Sequence, residues 1–395
     1  MANYEQLNKN SKVLFITDYK ETSKNKSSTQ VAINNIIKGF LENGIDLFVV
    51  AVIDSFTSKT DVDLELTNLG IGHLLIDSRI NTDGKGKYKQ LYSCMKAFFL
   101  RKRYYSFIVD SIKFEYDVIV SCCPGLESGI IQNVFKKNNK NKRTIQIWTD
   151  PYSAIGLEST TKLPLRRRVH SWLEKKLLSS ADRIFYFTEV LCNIQRRLFS
   201  RYAKKMDFYN GCSTIDFEEC SGDCHWPIHL VGYSGSFNHV RRNINPLCVA
   251  ASKCPDLDFL VRGGGGVLEN HDYSNLEISN TSQRLPREQV LKIEKTFDVN
   301  VCVCDKKGFM VPGKVFMQAA LPNFVLVILD GSYKNEIRNY LSRFNRFVFA
   351  ENDPEDIANA LKSIRSLDVY PYSKDVLLQF SKKNSVSNII SFIKE

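Results

Sequence analysis

The chain has 395 residues, 43% apolar and 25% charged, an ordinary globular balance but too long for one core, so two domains are expected. Its net charge of +11 is uneven, with 33 Lys/Arg against 24 Asp/Glu in residues 1–220 and 21 against 19 in residues 221–395. No apolar run nears the roughly 20 residues of a membrane span, no apolar leader opens the chain, and eleven cysteines, an odd number, form no disulfide framework.

These properties lead us to expect a cytoplasmic protein whose basic first half meets an anionic surface or substrate. Nucleic acid is not expected, because neither a zinc finger, nor an RNA-binding aromatic signature, nor a basic helix with heptads occurs. Cys212, Cys220, Cys224, His225 and His229 cluster in sequence, but their spacing fits no common zinc site, so no metal is expected.

In chain order, Lys12–Asp18 reads as an opening parallel strand, Gln30–Asn43 as an amphipathic helix closed by Gly44, and Leu47–Ile53 as the next strand. The stretch 83–105 interleaves Tyr88, Leu91, Tyr92, Met95, Phe98 and Phe99 with Lys96, Arg101, Lys102 and Arg103 at helical spacing. Two readings stand: an interfacial helix meeting anionic lipid, possible for the whole basic lobe, or a core-packed helix with a solvated basic face. Leu163–His170 extends the same basic character. Strands follow at Tyr116–Ser121, Thr144–Trp148 and Ala181–Thr188, with helices at Leu126–Lys137, Trp172–Ser180 and Val190–Arg201 and a short segment at Met206–Tyr209.

Asn210–Ile228 lacks periodicity and is the best domain boundary. The pattern then restarts: strand His229–Tyr233, turn Ser234–Asn238, helix Asn243–Ser252, strand Asp258–Arg262, a glycine run at 263–266, strand Leu276–Ser279 and helix Arg287–Lys295. Strand Val299–Cys304, the turn around Pro312–Lys314 with a short helix, strand Phe324–Leu329, a short strand at Arg346–Ala350, helix Pro354–Ile364 and a helical tail at Lys374–Ile393 complete it. The expected domains are residues 1–215, a linker 216–228, residues 229–370, and a tail 371–395. The fold class is α/β: two Rossmann-like, doubly wound lobes facing a cleft, with the last helix returning to the first lobe.

The segments YDVIVSCCPG, IQIWTDPYS and EKKLLSSADRIFYFTE in the first lobe, and GYSGSFNHVRRNINPL, FLVRGGG and FDVNVCVCDKKGFMVPGKVF in the second, resemble in order and spacing the GT-B glycosyltransferases. Most similar are bacterial family 4-type enzymes that build surface polysaccharides. The resemblance implies a nucleotide-sugar donor, a glycan or lipid-linked acceptor, retention of configuration, and no cofactor or metal. It places the donor diphosphate over Ser234, Gly235, Ser236, Arg242, Gly313 and Lys314, and the base and ribose near Arg284, Leu285, Met317 and Gln318. Asp150 and Glu127 are the catalytic candidates it implies in the first lobe.

The bland readings stand beside these: Asp150-Pro151 as a turn and Arg242 as a solvated loop charge. Two carboxylates common in relatives fall on Phe309 and Met317, which cannot accept hydrogen bonds as a carboxylate does. Gln318 lies a helical step of about 100° from position 317. The alternatives are a non-catalytic GT-B-like protein partnering another transferase, or a sugar-nucleotide epimerase of the same shape.

Overall fold

The structure, a computed structural model, describes residues 11–19, 28–80, 87–122, 126–149, 151, 164–213, 227–236, 242–264, 269, 271–280, 285, 287–306, 308–367 and 372–395. The chain divides into two compact units, Met1–Asn210 with Ser385–Glu395, and Gly211–Asn384.

The first unit is built on a seven-stranded sheet. Its strands are β1 (Lys12–Tyr19), β2 (Asp46–Ile53), β3 (Gly72–Asp77), β4 (Val118–Cys122), β5 (Arg143–Trp148), β6 (Arg183–Phe187) and β7 (Met206–Tyr209), in the order β3-β2-β1-β4-β5-β6-β7. All neighbouring pairs are parallel. Buried on both faces, β1 and β4 read as near-continuous apolar runs rather than alternating ones. Helices α1 (Ser28–Glu42), α2 (Lys59–Asn68), α3 (Lys87–Phe99), α4 (Arg101–Ser111), α5 (Glu127–Asn138), α6 (Pro164–Leu178) and α7 (Glu189–Leu198) connect the strands. Gly44, at φ 73°, lies just past α1 in the left-handed conformation that closes helices.

The second unit repeats this plan with six parallel strands: β8 (Leu230–Ser236), β9 (Asp258–Gly264), β10 (Leu276–Asn280), β11 (Val299–Val303), β12 (Phe324–Leu329) and β13 (Val348–Glu351), ordered β10-β9-β8-β11-β12-β13. Its helices are α8 (Asn245–Ala251), α9 (Arg287–Glu294), α10 (Gly313–Ala319), α11 (Lys334–Ser342) and α12 (Pro354–Arg365), then α13 (Lys374–Leu378) and α14 (Lys382–Ser385). Asp353 caps α12, accepting from the backbone N–H of Glu355 and Asp356, and Pro354 fills the first helical position, where no N–H is needed.

In both sheets the strand order reverses direction at the centre, between β1 and β4 and between β8 and β11. Open α/β sheets bind ligands at such points, beyond the strands' carboxyl ends. The last helix, α15 (Ser387–Lys394), does return to the first unit: Val386, Ile389, Ile390 and Ile393 join its apolar core. Arg143 caps that helix by donating to the carbonyls of Phe392 (2.9 Å) and Ile393 (2.7 Å).

Four sequence expectations change. The tail is three short helices rather than one, α13 and most of α14 belonging to the second unit. Residues 87–105 do not form a single helix; the chain breaks at Leu100, where the Arg101 guanidinium donates to the Phe98 carbonyl. The Ser234–Ser236 segment is not a turn but the end of β8, paired with β9 as far as Ser236 beside Gly264. Helix α2 and strand β3 escaped the reading, since α2 buries only Val62 and Leu66, one turn apart, and β3 is a half-exposed edge.

Candidate functional site

In the second unit the carboxyl ends of β8 and β11 gather the charged and small residues. Tyr233 reaches its hydroxyl forward to the end of the strand to donate to the Ser236 carbonyl at 2.9 Å. A Cβ on Gly235 would lie 2.7 Å from that hydroxyl oxygen, so the close pass of ring and backbone requires glycine there. Beside it in register, Gly235 faces Gly263 and Ser236 faces Gly264, leaving this corner of the sheet without bulky side chains.

Ser234 is buried, and its hydroxyl donates to Glu294 Oε1 at 2.7 Å. Lys314, the second residue of α10, sends its ammonium to the same place, contacting Ser234 Oγ (2.7 Å), the Ser234 carbonyl, and Glu294 Oε1 (2.8 Å). Gln318, one turn further along α10, donates to Glu294 Oε1 at 3.3 Å. Glu294 ends α9 and has no exposed surface, while the Lys314 side chain is 24% exposed. A buried carboxylate needs such compensation, since an unpaired charge would be expelled or neutralised.

Arg242, partly buried, lies in the connection between β8 and α8. Burial pushes the Cys302 thiol up to about 11, with Arg242 and Lys314 pulling it back and Glu294 opposing them. Burial likewise raises the Tyr233 phenol, and Arg242 again draws it down. One strand end therefore feels both cations.

Of the expected donor-site residues, Ser234 and Lys314 come together, and Arg242 acts on the same buried Cys302 thiol as Lys314. Gly313 opens α10 and is exposed. Helix α10 has only seven residues, so its end offers a weaker dipole than a long helix would. The three ammonium hydrogens of Lys314 already have three oxygen partners, so it does not stand open to a phosphate in this state. Gln318 is turned inward and buried, its Oε1 without a hydrogen-bond partner among the described residues, and it does not replace a carboxylate at 317. Met317 is partly exposed and Leu285 half-buried. Phe309 is a core residue packed edge-on against Tyr333, ring centroids 5.8 Å apart. Arg284 lies outside the described residues.

In the first unit Asp150 also lies outside the described residues. Glu127 is described, and its carboxylate faces the protein interior. It is buried at the first residue of α5, accepting from Tyr105 Oη (2.6 Å), Ser78 Oγ (2.5 Å) and the Arg79 backbone N–H (2.7 Å). Burial and the adjacent Glu127 charge push the Tyr105 phenol far above its ordinary value. Glu127 thus ties the end of β3 to α4 and α5. Asp18, at the carboxyl end of β1, accepts from the Ser128 N–H at 3.1 Å and is the residue the sequence reading missed; no motif marked it.

On the outside of the same unit, Phe98 is buried, while Phe99 is 61% and Tyr92 67% exposed. Both Phe98 and Phe99 pack against Trp172 of α6, with centroids 5.5 and 6.1 Å away. Lys96, Lys102 and Arg103 are exposed; Arg101 is half-buried, stacked over Phe98 and bonded to Asn133. The segment therefore has a core-packed inner face, as the second reading expected, and an outer face carrying aromatic and basic side chains. Among the described residues no helix is long and apolar enough to cross a membrane, and no group of three or more His, Cys, Asp or Glu could hold a metal ion.

Solved structures match this architecture over nearly all of both chains. The N-terminal domain of the Candida albicans trehalose-6-phosphate phosphatase aligns with a TM-score of 0.64 at 10% identity, covering 98% of this chain and 97% of that one. The chain has the GT-B fold. Anabaena Alr3699/HepE, solved in complex with UDP and glucose, gives 0.54 at 10% identity over 96% and 99%. Arabidopsis thaliana UGT89C1, complexed with UDP-L-rhamnose, gives 0.54 at 10% over 98% and 100%. No protein-family model matches the chain, and no curated protein matches it in sequence. Within the GT-B fold, the glycine-lined strand end with Ser234, Lys314 and Arg242 belongs to the second lobe.

Proposed function

We propose that this protein is a glycosyltransferase that moves a sugar from a nucleotide-sugar donor to a growing glycan acceptor. The observation that carries the reading is the carboxyl end of β8, where Gly235 and Ser236 lie beside Gly263 and Gly264 and Lys314 reaches Ser234, next to the point where the strand order reverses. Structures of the same fold have been solved with UDP and glucose and with UDP-L-rhamnose, which supports a nucleotide sugar as the ligand class.

In this reading the backbone at Gly235 and Ser236 approaches the diphosphate, and Arg242 stabilises its charge as the glycosidic bond breaks. Gly313 borders the same region, and the segment at Arg284 and Leu285 flanks the base. Asp150 is assigned to the transferred sugar or the acceptor. Transfer is proposed to be retaining, by front-face attack, with the leaving phosphate accepting the acceptor proton and no metal taking part. The protein then supplies orientation and charge rather than a nucleophile.

The acceptor is proposed to be lipid-linked, as in surface-polysaccharide assembly, and presented at an anionic membrane. Phe99, Tyr92 and Trp172 among Lys96, Lys102 and Arg103 suit an interfacial contact. Changing Lys102 and Arg103 to Glu should weaken flotation with anionic liposomes; unchanged flotation rejects that surface.

The donor reading is tested by calorimetry with UDP-, GDP-, ADP- and dTDP-sugars. Binding of one donor, weakened at least about tenfold in Arg242→Ala, is expected. No binding by any donor sinks the proposal. The buried Phe309 and the Met317 that stand where relatives carry carboxylates favour a second reading, a non-catalytic lobe pair that positions a partner transferase. Donor binding without transfer or donor hydrolysis would select it.

A further inference from the structure

Glu294 is a charge that the proposed transfer does not use. It is wholly buried, yet it sits against the cation nearest the open strand end, 2.8 Å from the Lys314 ammonium. Three elements converge on its Oε1: Ser234 from the end of β8, Lys314 from the start of α10 and Gln318 one turn later. Because Ser234 Oγ donates to the carboxylate and accepts from Lys314, the three form a closed triangle.

Two consequences follow from elementary electrostatics. The pair has no net charge, so a ligand anion at the strand end experiences Lys314 as a dipole rather than a full cation, and attraction falls faster with distance. The ammonium hydrogens are also committed, so direct contact with a phosphate oxygen requires one of the three protein bonds to open. A nucleoside diphosphate carries more negative charge than the nucleotide sugar it comes from. An uncompensated lysine would therefore favour the product over the donor.

We propose that Glu294 is a positioning residue that holds Lys314 at the carboxyl end of β8 and cancels its charge, keeping affinity for the diphosphate product low so that the product leaves. This rests on the donor-site reading above and adds to it a determinant of product release. In this proposal Glu294 acts through Lys314 rather than by touching the ligand.

The test uses the full chain and inorganic pyrophosphate, which is independent of the base, with UDP alongside. Calorimetry of wild type should detect weak binding. Glu294→Gln keeps the shape and the oxygen acceptor but removes the charge, and should tighten pyrophosphate about tenfold at low salt, the gain shrinking toward about 1 M salt. A purely structural residue would not produce a salt-dependent gain. In a Lys314→Met background the same change should give no gain, because the cation it releases is gone.

Glu294→Asp is the second variant, should Glu294→Gln not fold. It keeps the charge but draws the carboxylate back by one methylene, and a gain of about two- to threefold is expected. Equal or weaker pyrophosphate binding in a folded Glu294→Gln or Glu294→Asp protein overturns the proposal while leaving the donor site standing. No binding of pyrophosphate or UDP by wild type or any variant overturns both.

Discussion

Glu127 separates a structural carboxylate from a catalytic one most sharply. Replacing it with Ala removes the acceptor of three hydrogen bonds, from Tyr105 Oη, Ser78 Oγ and the Arg79 N–H. Tyr105 is 1% exposed, so its hydroxyl cannot turn to water and loses a charge-assisted bond of about 1.5–3 kcal/mol. Ser78 and Arg79 are part-buried and recover solvent in part, leaving about 1 kcal/mol each. Loss of a negative charge at the start of α5 adds about 0.3–1 kcal/mol. The expected destabilisation of the first unit is about 5 kcal/mol, or about 15 °C in melting temperature for a unit of this size.

Glu127→Gln keeps one acceptor oxygen and should cost about half as much. A double-mutant cycle with Tyr105→Phe should give a coupling of about 1–2 kcal/mol. Scanning calorimetry alongside a transfer assay reads the outcome. Unchanged melting with abolished transfer would refute the argument and return Glu127 to the chemistry.

Three further outcomes are expected. Arg346 is fully buried and donates to the carbonyls of Ala319 (2.7 Å), Leu321 (2.7 Å) and Asn323 (2.6 Å), so Arg346→Leu should destabilise the second unit by about 3–5 kcal/mol in denaturant titration, and a loss under 1 kcal/mol would contradict that role. A Cβ at Gly232 would fall 2.1 Å from the Phe297 ring, whereas none of the surroundings of Gly313 lies within 4 Å, so Gly232→Ala should cost about 2 kcal/mol or more and Gly313→Ala should be neutral or slightly stabilising; equal melting shifts would refute the contrast. Burial alone would raise Asp182 and Glu351, but hydrogen bonds from Lys136 and Thr144, and from Lys334 and Arg338, hold both below their ordinary 3.8 and 4.5. A depressed folded value means stability that is present above the ordinary value and lost as pH falls through the folded one; melting temperature should therefore drop below about pH 4, less steeply in Asp182→Asn, and an identical slope would rule Asp182 out.

The sequence alone determined the two α/β lobes, because a parallel strand buried on both faces must be an unbroken apolar run. VLFIT in β1 and FVLVIL in β12 are such runs, and their strand length and β-branched content separate them from buried helices. Gly44 closing a helix and Asp353-Pro354 opening one are local chemistry, visible without neighbours. Ser234, Arg242 and Lys314 were grouped in the sequence by the resemblance to GT-B enzymes, not by any pattern of their own.

Whether a charge is free or spoken for was decided only by tertiary structure. Nothing near Lys314 in sequence announces Glu294, which reaches it from the end of another helix, nor does anything near Glu127 announce Tyr105 and Ser78. Periodicity encodes which face of an element is buried; the partner of a buried ion is set by which elements the sheet brings side by side. The break between α3 and α4 at Leu100 was likewise not marked in the sequence.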